Sequence, residues 1–96
     1  MKLGLYSSKP GSTVPNLLSV QNHRLDFLPT VLCCPLKARE PETIVRRVIA
    51  WGGVDYTVLC ELARPVNRRV LRPLGVLDEE QSRAVLAALL KVLAAR

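Results

Sequence analysis

Two apolar runs separated by a Gly-Gly pair place the strongest constraint on how this chain can fold. The runs read TIVRRVIAW (43–51) and VDYTVLCEL (54–62), and Gly52-Gly53 lies between them. A tight two-residue turn needs positive φ angles, which glycine adopts without a steric cost. The sequence therefore predicts an antiparallel β-hairpin over these residues.

Shorter apolar runs on either side of this hairpin predict further strands over 14–20, 28–36 and 70–74. Pro15 lies near the start of the first run, and Pro35 closes the second. Residues 1–13 begin with a short apolar stretch and continue into the turn-rich SSKPGST. We expect them to form an N-terminal segment that is mobile or truncated.

A C-terminal helix is predicted over residues 79–94. Asp78 is placed to cap it, with Gln81 three residues later as the partner in a capping box. The predicted apolar face consists of leucines at helical spacing: Leu86, Leu89, Leu90 and Leu93. Several strands followed by one helix predict a single domain over 1–96, mostly β, as a small barrel or curled antiparallel sheet with the helix packed on it.

The charge balance favours an anionic partner. Lysine and arginine total 14 against 8 acidic residues, so the net charge is +6 among 96 residues. Nucleic acid, an acidic protein or a membrane surface would suit such a charge, and solubility alone is the alternative explanation. No apolar run reaches the roughly 18 residues of a transmembrane helix, and the N-terminus lacks a signal-peptide pattern. We therefore expect a cytoplasmic protein with no membrane partner.

The three cysteines and the single histidine do not form a recognisable site. Cys33 and Cys34 are adjacent, so on a strand their side chains point to opposite faces, and no metal-binding spacing accompanies them. We expect all three cysteines to be buried thiols that pack as small apolar groups. His23 lies near Asp26, but no nucleophile motif is present, which favours an exposed loop histidine. No metal and no cofactor are predicted.

Basic side chains are the remaining candidates for chemistry. Arginines crowd the connection after the hairpin, which also carries Arg72. If the loop ends converge at one barrel mouth, they form a basic groove suited to phosphates. The 2′-hydroxyl of RNA is an internal nucleophile, so such a groove needs positioning and charge stabilisation more than a metal. A solvated charged surface is the alternative. The predicted nucleic-acid-binding residues are Arg24, Lys37, Arg39, Arg46, Arg64, Arg68 and Arg69.

Two long stretches resemble the MazF/PemK toxins. GSTVPNLLSVQNHRLDFLPTVLCCPLKARE (11–40) resembles the first block of that family, and LCELARPVNRRVLRPLGVLDEEQSRAVLAALLKVL (59–93) is similar to the second. The resemblance implies an SH3-like β barrel with a C-terminal helix, usually a homodimer. It implies a growth-inhibiting toxin of a type II toxin–antitoxin system that cleaves single-stranded RNA without a metal. The implied partners are RNA and an acidic antitoxin.

The two catalytic positions of that family carry other residues here. The family arginine that precedes the proline of the first strand corresponds to Val14, and the family threonine after Pro-Leu corresponds to Lys37. The resemblance therefore places Lys37 at a catalytic position, with Arg39 or Lys9 as spatial substitutes for the arginine.

Two other interpretations stay open. One is a catalytically degenerate member of the same fold that binds RNA, DNA, an antitoxin or a protein target such as gyrase without cleavage. The first stretch also resembles CcdB, a gyrase-poisoning relative, but the chain ends Ala94-Ala95-Arg96, where CcdB ends in Trp-Gly-Ile. The other interpretation is a structural, oligomeric β protein.

Overall fold

Antiparallel pairing connects all the strands in the computed structural model, which describes residues 1–38 and 40–94. The strands are β1 (Gly4–Ser7), β2 (Leu17–Ser19), β3 (Thr30–Lys37), β4 (Arg46–Trp51), β5 (Val54–Leu59), β6 (Arg64–Asn67) and β7 (Arg72–Val76). The helix α1 spans Glu79–Ala94. The strand order is β4-β5-β3-β2-β1-β7, and β6 also pairs with β3. The predicted fold class, mostly β with a C-terminal helix, is confirmed.

The central hairpin forms as predicted. Strands β4 and β5 pair from Arg46 opposite Leu59 to Trp51 opposite Val54. Gly52 and Gly53 have φ angles of 62° and 76°, as a tight turn between twisted strands requires. The indole of Trp51 reaches the other end of the strand order, because a Cβ placed on Gly75 of β7 would lie 2.8 Å from its Cζ2. This contact curls the sheet toward a barrel.

Strand β3 changes partners along its length, which explains why two adjacent cysteines are both buried. Its first half pairs with β6 and its end pairs with β5, while β2 lies along its other edge. Cys34 faces the main core between sheet and helix. Cys33 faces a second, smaller cluster with Leu17 and Val31. The prediction that all three cysteines are buried thiols is confirmed.

The structure differs from the expectation for the N-terminus, because residues 4–7 form β1 between β2 and β7. Leu3, Leu5 and Ser7 are buried on one face, which is the period-2 pattern of a strand with one buried side. This alternating pattern is hard to recognise in the sequence because its third buried position is a serine, Ser7. Its Oγ accepts a hydrogen bond from Lys9 N at 3.1 Å, which satisfies the buried hydroxyl. Strand β6 was also unpredicted, since Val66 is its only residue of high strand propensity.

The helix begins where predicted, but its buried face is rotated from the leucine stripe. Asp78 Oδ1 accepts from Gln81 N at 2.8 Å, the capping bond expected at this end. The buried positions of α1 include the small residues Ser82 and Ala88, which allow the helix to approach the sheet closely. Half of the predicted stripe faces outward: Leu90 is 64% exposed and Leu93 is 69% exposed.

The outer edge of β4 is closed by side chains. Gln81 does not form the second bond of the predicted capping box, because its Oε1 accepts from Ala50 N at 2.6 Å and its Nε2 donates to Ala50 O at 3.2 Å and to Asp78 Oδ2 at 3.1 Å. Glu42 Oε2 accepts from Val48 N at 2.9 Å. These bonds occupy backbone donors through which an added strand would pair. Within the described residues, no helix has the length and apolar character needed to cross a membrane.

Candidate nucleic-acid interface

Val14 and Lys37 are the two residues that differ from the family's catalytic residues. The pairing of β2 with β3 brings both to one end of the sheet. Leu17 lies opposite Pro35, and Leu36 N donates to Asn16 O at 3.0 Å. Val14 and Lys37 therefore flank the same end. Val14 is 57% exposed and uncharged, and Lys37 presents an exposed ammonium group. Arg39 lies outside the described residues, so its predicted role stays a prediction.

Asn16 holds the loop between β1 and β2 in place at this end. Its backbone N donates to Tyr6 O at 3.0 Å, and its side-chain Nδ2 donates to Ser8 Oγ at 2.8 Å. Ser8 N donates back to Asn16 Oδ1 at 2.9 Å. The start of the loop is thus fixed by hydrogen bonds, which positions the basic residue that follows.

A cavity of about 290 Å³ opens beside this loop. Among the described residues, its lining contains three cations, Lys9, Arg69 and Arg72, and no acidic side chain. Arg72 Nη2 donates to Ser12 O at 3.1 Å, which ties β7 to the loop. We call this the basic cleft, defined by Lys9, Arg69 and Arg72. Its uncompensated positive charge suits phosphate oxygens.

From the basic cleft, the sequence predicted Arg69 as a nucleic-acid-binding residue, placed Arg72 in the arginine-rich connection and offered Lys9 as a spatial substitute for the family arginine. Lys9 and Arg72 join it because β1 and β7 pair antiparallel with Ser7 opposite Arg72. The two residues are far apart in sequence, and the missed strand β1 is what brings them together. A correct assignment of LGLYS as a strand would have been the signal.

The other predicted basic residues do not gather at one mouth. Arg24 lies in a 3-10 turn at the opposite end of β3 from Lys37, and that strand is about 23 Å long at roughly 3.3 Å per residue. Arg64 is exposed on β6 opposite Cys33. Arg68 Nε donates to Leu28 O at 3.0 Å, which places Arg68 near the same end of β3 as Arg24. The positive charge therefore forms a surface that extends along the molecule.

Arg46 is paired within the protein. Its Nη2 lies 2.6 Å from Glu61 Oε2, and both side chains are about one-third exposed, at 30% and 31%. The hydrogen bond from Arg46 lowers the pKa of Glu61 below its ordinary value. The pair leaves less of the Arg46 charge for an external anion than an unpaired guanidinium would offer.

This pair makes the stability of the fold sensitive to acid. A depressed carboxyl pKa contributes stability that is complete above the unfolded value of about 4.5 and is lost as the pH falls through the lower folded value. We expect Glu61→Gln to lose less stability than the unsubstituted protein between about pH 6 and pH 3. Urea midpoints at the two pH values measure this, with Asp55→Asn as the control on an exposed carboxylate of the same hairpin. Equal acid losses in the protein and in Glu61→Gln would contradict the role of the pair.

The three thiols are buried, which makes them poor nucleophiles toward an external substrate, although the hydrogen bond with Cys34 lowers the pKa of Cys60. Burial raises the pKa of Cys33 to about 11, although nearby Arg64 and Arg68 oppose the shift. A hydrogen bond with the Cys60 thiol, together with burial, raises the pKa of Cys34. Both groups are therefore neutral near pH 7, and the thiolate is the reactive form.

His23 is an exposed loop histidine, as predicted. Its Nδ1 lies 3.9 Å from Asp26 Oδ2, and the two side chains are 69% and 65% exposed. Among residues 1–38 and 40–94, no three His, Cys, Asp or Glu side chains cluster as metal ligands would.

Comparison with known proteins relates the whole fold to one class of toxin. No known protein family's sequence model matches the chain, and no curated protein matches it in sequence. Among solved structures, the chain is similar to the Mycobacterium tuberculosis toxin MazF-mt6, with a TM-score of 0.75 and 13% identity. The match covers 98% of this chain and 97% of that toxin. At this identity the similarity concerns the fold, and the chain has a MazF-type fold.

Proposed function

We propose that the protein is the toxin component of a type II toxin–antitoxin system and a metal-independent endoribonuclease acting on single-stranded RNA. The observation that carries the proposal is the basic cleft, which is lined by the start of the same β1–β2 loop that carries Val14, at the end of the sheet where β3 ends with Lys37. The end-to-end similarity to a MazF toxin supports it. RNA phosphates bind Lys9, Arg69 and Arg72, and Lys37 at the same end of the sheet faces the scissile phosphate.

The chemistry suits a site whose charged groups are cations. The 2′-hydroxyl of RNA gives its proton to water, its oxygen forms a bond to phosphorus, and the bond from phosphorus to the 5′-oxygen breaks. The products are a 2′,3′-cyclic phosphate and a 5′-hydroxyl that has gained a proton. Negative charge develops on the phosphoryl oxygens, and a preorganised ammonium group stabilises it. Lys37 serves this role as a point charge, without the planar fork of an arginine.

The proposed partners follow from charge and exposed apolar surface. An acidic antitoxin complements the net charge of +6 and competes with RNA for the basic cleft. A second copy of the chain covers apolar side chains that the monomer leaves exposed, among them Leu62, Leu90 and Leu93. The proposed assembly is thus a homodimer, and its proposed location is the cytoplasm.

A second candidate function has its own observation. The uncharged Val14 stands where the family has an arginine, and its side chain forms no charge-stabilising site. A protein with the same cleft and no cleavage would bind nucleic acid, an antitoxin or a protein target such as gyrase. RNA cleavage is therefore the property that separates the two functions.

We expect the purified protein to cut a long single-stranded RNA at defined positions in EDTA, with Lys37→Ala reducing the rate at least about 100-fold, as loss of one oxyanion-stabilising group does. Mapping of new 5′ ends measures the cuts. Lys91→Ala is the matched control, since Lys91 is an exposed lysine on α1. Binding without cuts on several RNAs would contradict the ribonuclease and favour the second candidate. Cuts that persist in Lys37→Ala would assign the charge stabilisation to another residue.

A further inference from the structure

A second cavity, which shares no lining residue with the basic cleft, lies at the start of β1. It has a volume of about 320 Å³ and opens between the N-terminal residues, the strands β1 to β3 and the loop after β2. Its polar lining includes Tyr6, Asp26 and Arg68. We call it the Arg68 pocket. Its volume lies within the range of small-molecule sites.

The guanidinium of Arg68 is fixed in the pocket but incompletely bonded. Nε donates to Leu28 O at 3.0 Å, which sets its orientation. Nη2 is buried and has no hydrogen-bond partner among the described residues. A buried donor on a charged group destabilises a fold when it lacks an acceptor. Because Nη2 is enclosed, an acceptor atom supplied by a ligand in the cavity reaches it only when the guanidinium turns toward the cavity.

Asp26 restricts what that ligand can be. Its carboxylate lines the same pocket as Lys2, His23 and Arg68, so a ligand attracted by the basic groups also meets a negative charge. The ligand must present an acceptor to the guanidinium and N–H donors to the carboxylate. Guanine does both, because O6 and N7 accept on one edge while N1–H and N2–H₂ donate on the next. Adenine presents an amino donor where guanine has O6, and the pyrimidines lack the paired donors.

Tyr6 supplies a surface for a planar ring. It is half-buried and lines the pocket. Its ring lies across Gly4, since a Cβ on Gly4 would be 2.8 Å from Tyr6 Cε2. Glycine at this position is thus required for the ring to lie against the strand. Aromatic side chains held in this way stack on nucleobases.

The position of the pocket favours RNA over a free nucleotide. Arg69 lines the basic cleft and its neighbour Arg68 lines the pocket. Along β1, Gly4 at the pocket and Ser7 at the cleft are three residues apart, or about 10 Å. A short single strand therefore spans both sites, with a phosphate at one and a base at the other.

We propose that the Arg68 pocket binds a guanine base of single-stranded RNA, with Arg68 donating to O6 or N7 and Asp26 accepting from N1 and N2. The inference rests on the proposed function, because it names the base that the bound RNA presents. It makes Arg68 and Asp26 residues that determine sequence specificity.

The test is a titration of the isotope-labelled full-length protein with GMP, AMP, CMP and UMP, followed by amide chemical shifts. We expect GMP to shift the amides of Gly4, Ser19 and Val31, and to bind at least tenfold more tightly than the other three. IMP, which lacks only the N2 amino group, should bind about tenfold more weakly than GMP, with no change to the protein. Equal binding of all four nucleotides, or no shift at these amides, would overturn the proposal.

Substitutions separate the two contacts. Arg68→Lys keeps the positive charge but removes the paired N–H donors of the guanidinium, and we expect it to abolish the preference for GMP. We expect Asp26→Asn to have the same effect. Arg83→Lys on the exposed side of α1 is the control. An unchanged GMP preference in Arg68→Lys would overturn the assignment. RNA cleavage in EDTA by a protein that does not bind GMP would overturn the pocket and leave the proposed function standing. Selective GMP binding by a protein that cleaves no RNA would support the pocket and contradict the ribonuclease.

Discussion

Replacing both Lys9 and Arg72 by alanine is expected to weaken the binding of single-stranded RNA on the order of 100-fold, since each charge-assisted contact contributes about 1.5 kcal/mol or more. The two cations line one cavity, and none of the described residues that line it carries a carboxylate to neutralise them. Arg72 also donates to Ser12 O, so its removal loosens the loop that presents Lys9. Fluorescence anisotropy with a labelled oligonucleotide measures the effect.

The salt dependence of binding distinguishes a phosphate interface from a general loss of positive charge. Each phosphate contact contributes about 0.7 to the slope of log affinity against log salt for a single strand, so the double substitution should reduce the slope by about 1.4. Arg83→Ala combined with Lys91→Ala removes the same charge from exposed positions of α1 and serves as the control. If the control loses as much affinity as the cleft variant, then net charge binds RNA and the basic cleft is not its site.

Local chemistry made some elements of the fold predictable. Gly52-Gly53 permits one kind of turn between two apolar runs, and Asp78 starts a helix wherever the following residues can propagate one. These signals depend on near neighbours alone. The apolar side of the helix was less predictable, because Ser82 and Ala88 face the core while Leu90 and Leu93 do not. Which side of the helix is buried depends on the distance between the helix and the sheet. The sequence of the helix alone does not determine that distance.

The candidate site was harder to predict because it depends on strand order. Val14 and Lys37 flank one end of the sheet, since the pairing of β2 with β3 brings the ends of these strands together. Lys9 and Arg72 meet only because β1 inserts between β2 and β7, a long-range pairing of two short strands. The role of Arg68 is visible only in three dimensions, as an unpaired donor beside a cavity. The number of arginines in the sequence identified the segment after the hairpin as basic. It did not show that this segment contributes to two separate sites, the basic cleft and the Arg68 pocket.

Leu5→Ala is expected to lower the free energy of unfolding by about 2–5 kcal/mol, the range for removing a fully buried leucine side chain. Leu5 is completely buried and lies between Leu18 of β2 and Gly75 of β7. The loss would show that the N-terminal segment is a structural part of the sheet. Urea denaturation followed by the fluorescence of Trp51 measures it, and this indole packs against Gly75 on the strand that β1 holds in place.

The contrast with an exposed aliphatic residue makes the result specific. Val14→Ala changes a side chain that is 57% exposed in the loop after β1, and we expect its effect to stay within about 0.5 kcal/mol. If Leu5→Ala were equally mild, residues 1–13 would behave as the mobile segment that their composition predicted. The basic cleft and the Arg68 pocket would then both lose a wall, since β1 lines each of them. The change in the free energy of unfolding caused by Leu5→Ala thus tests whether β1 is an ordered strand that connects the two proposed RNA-binding sites.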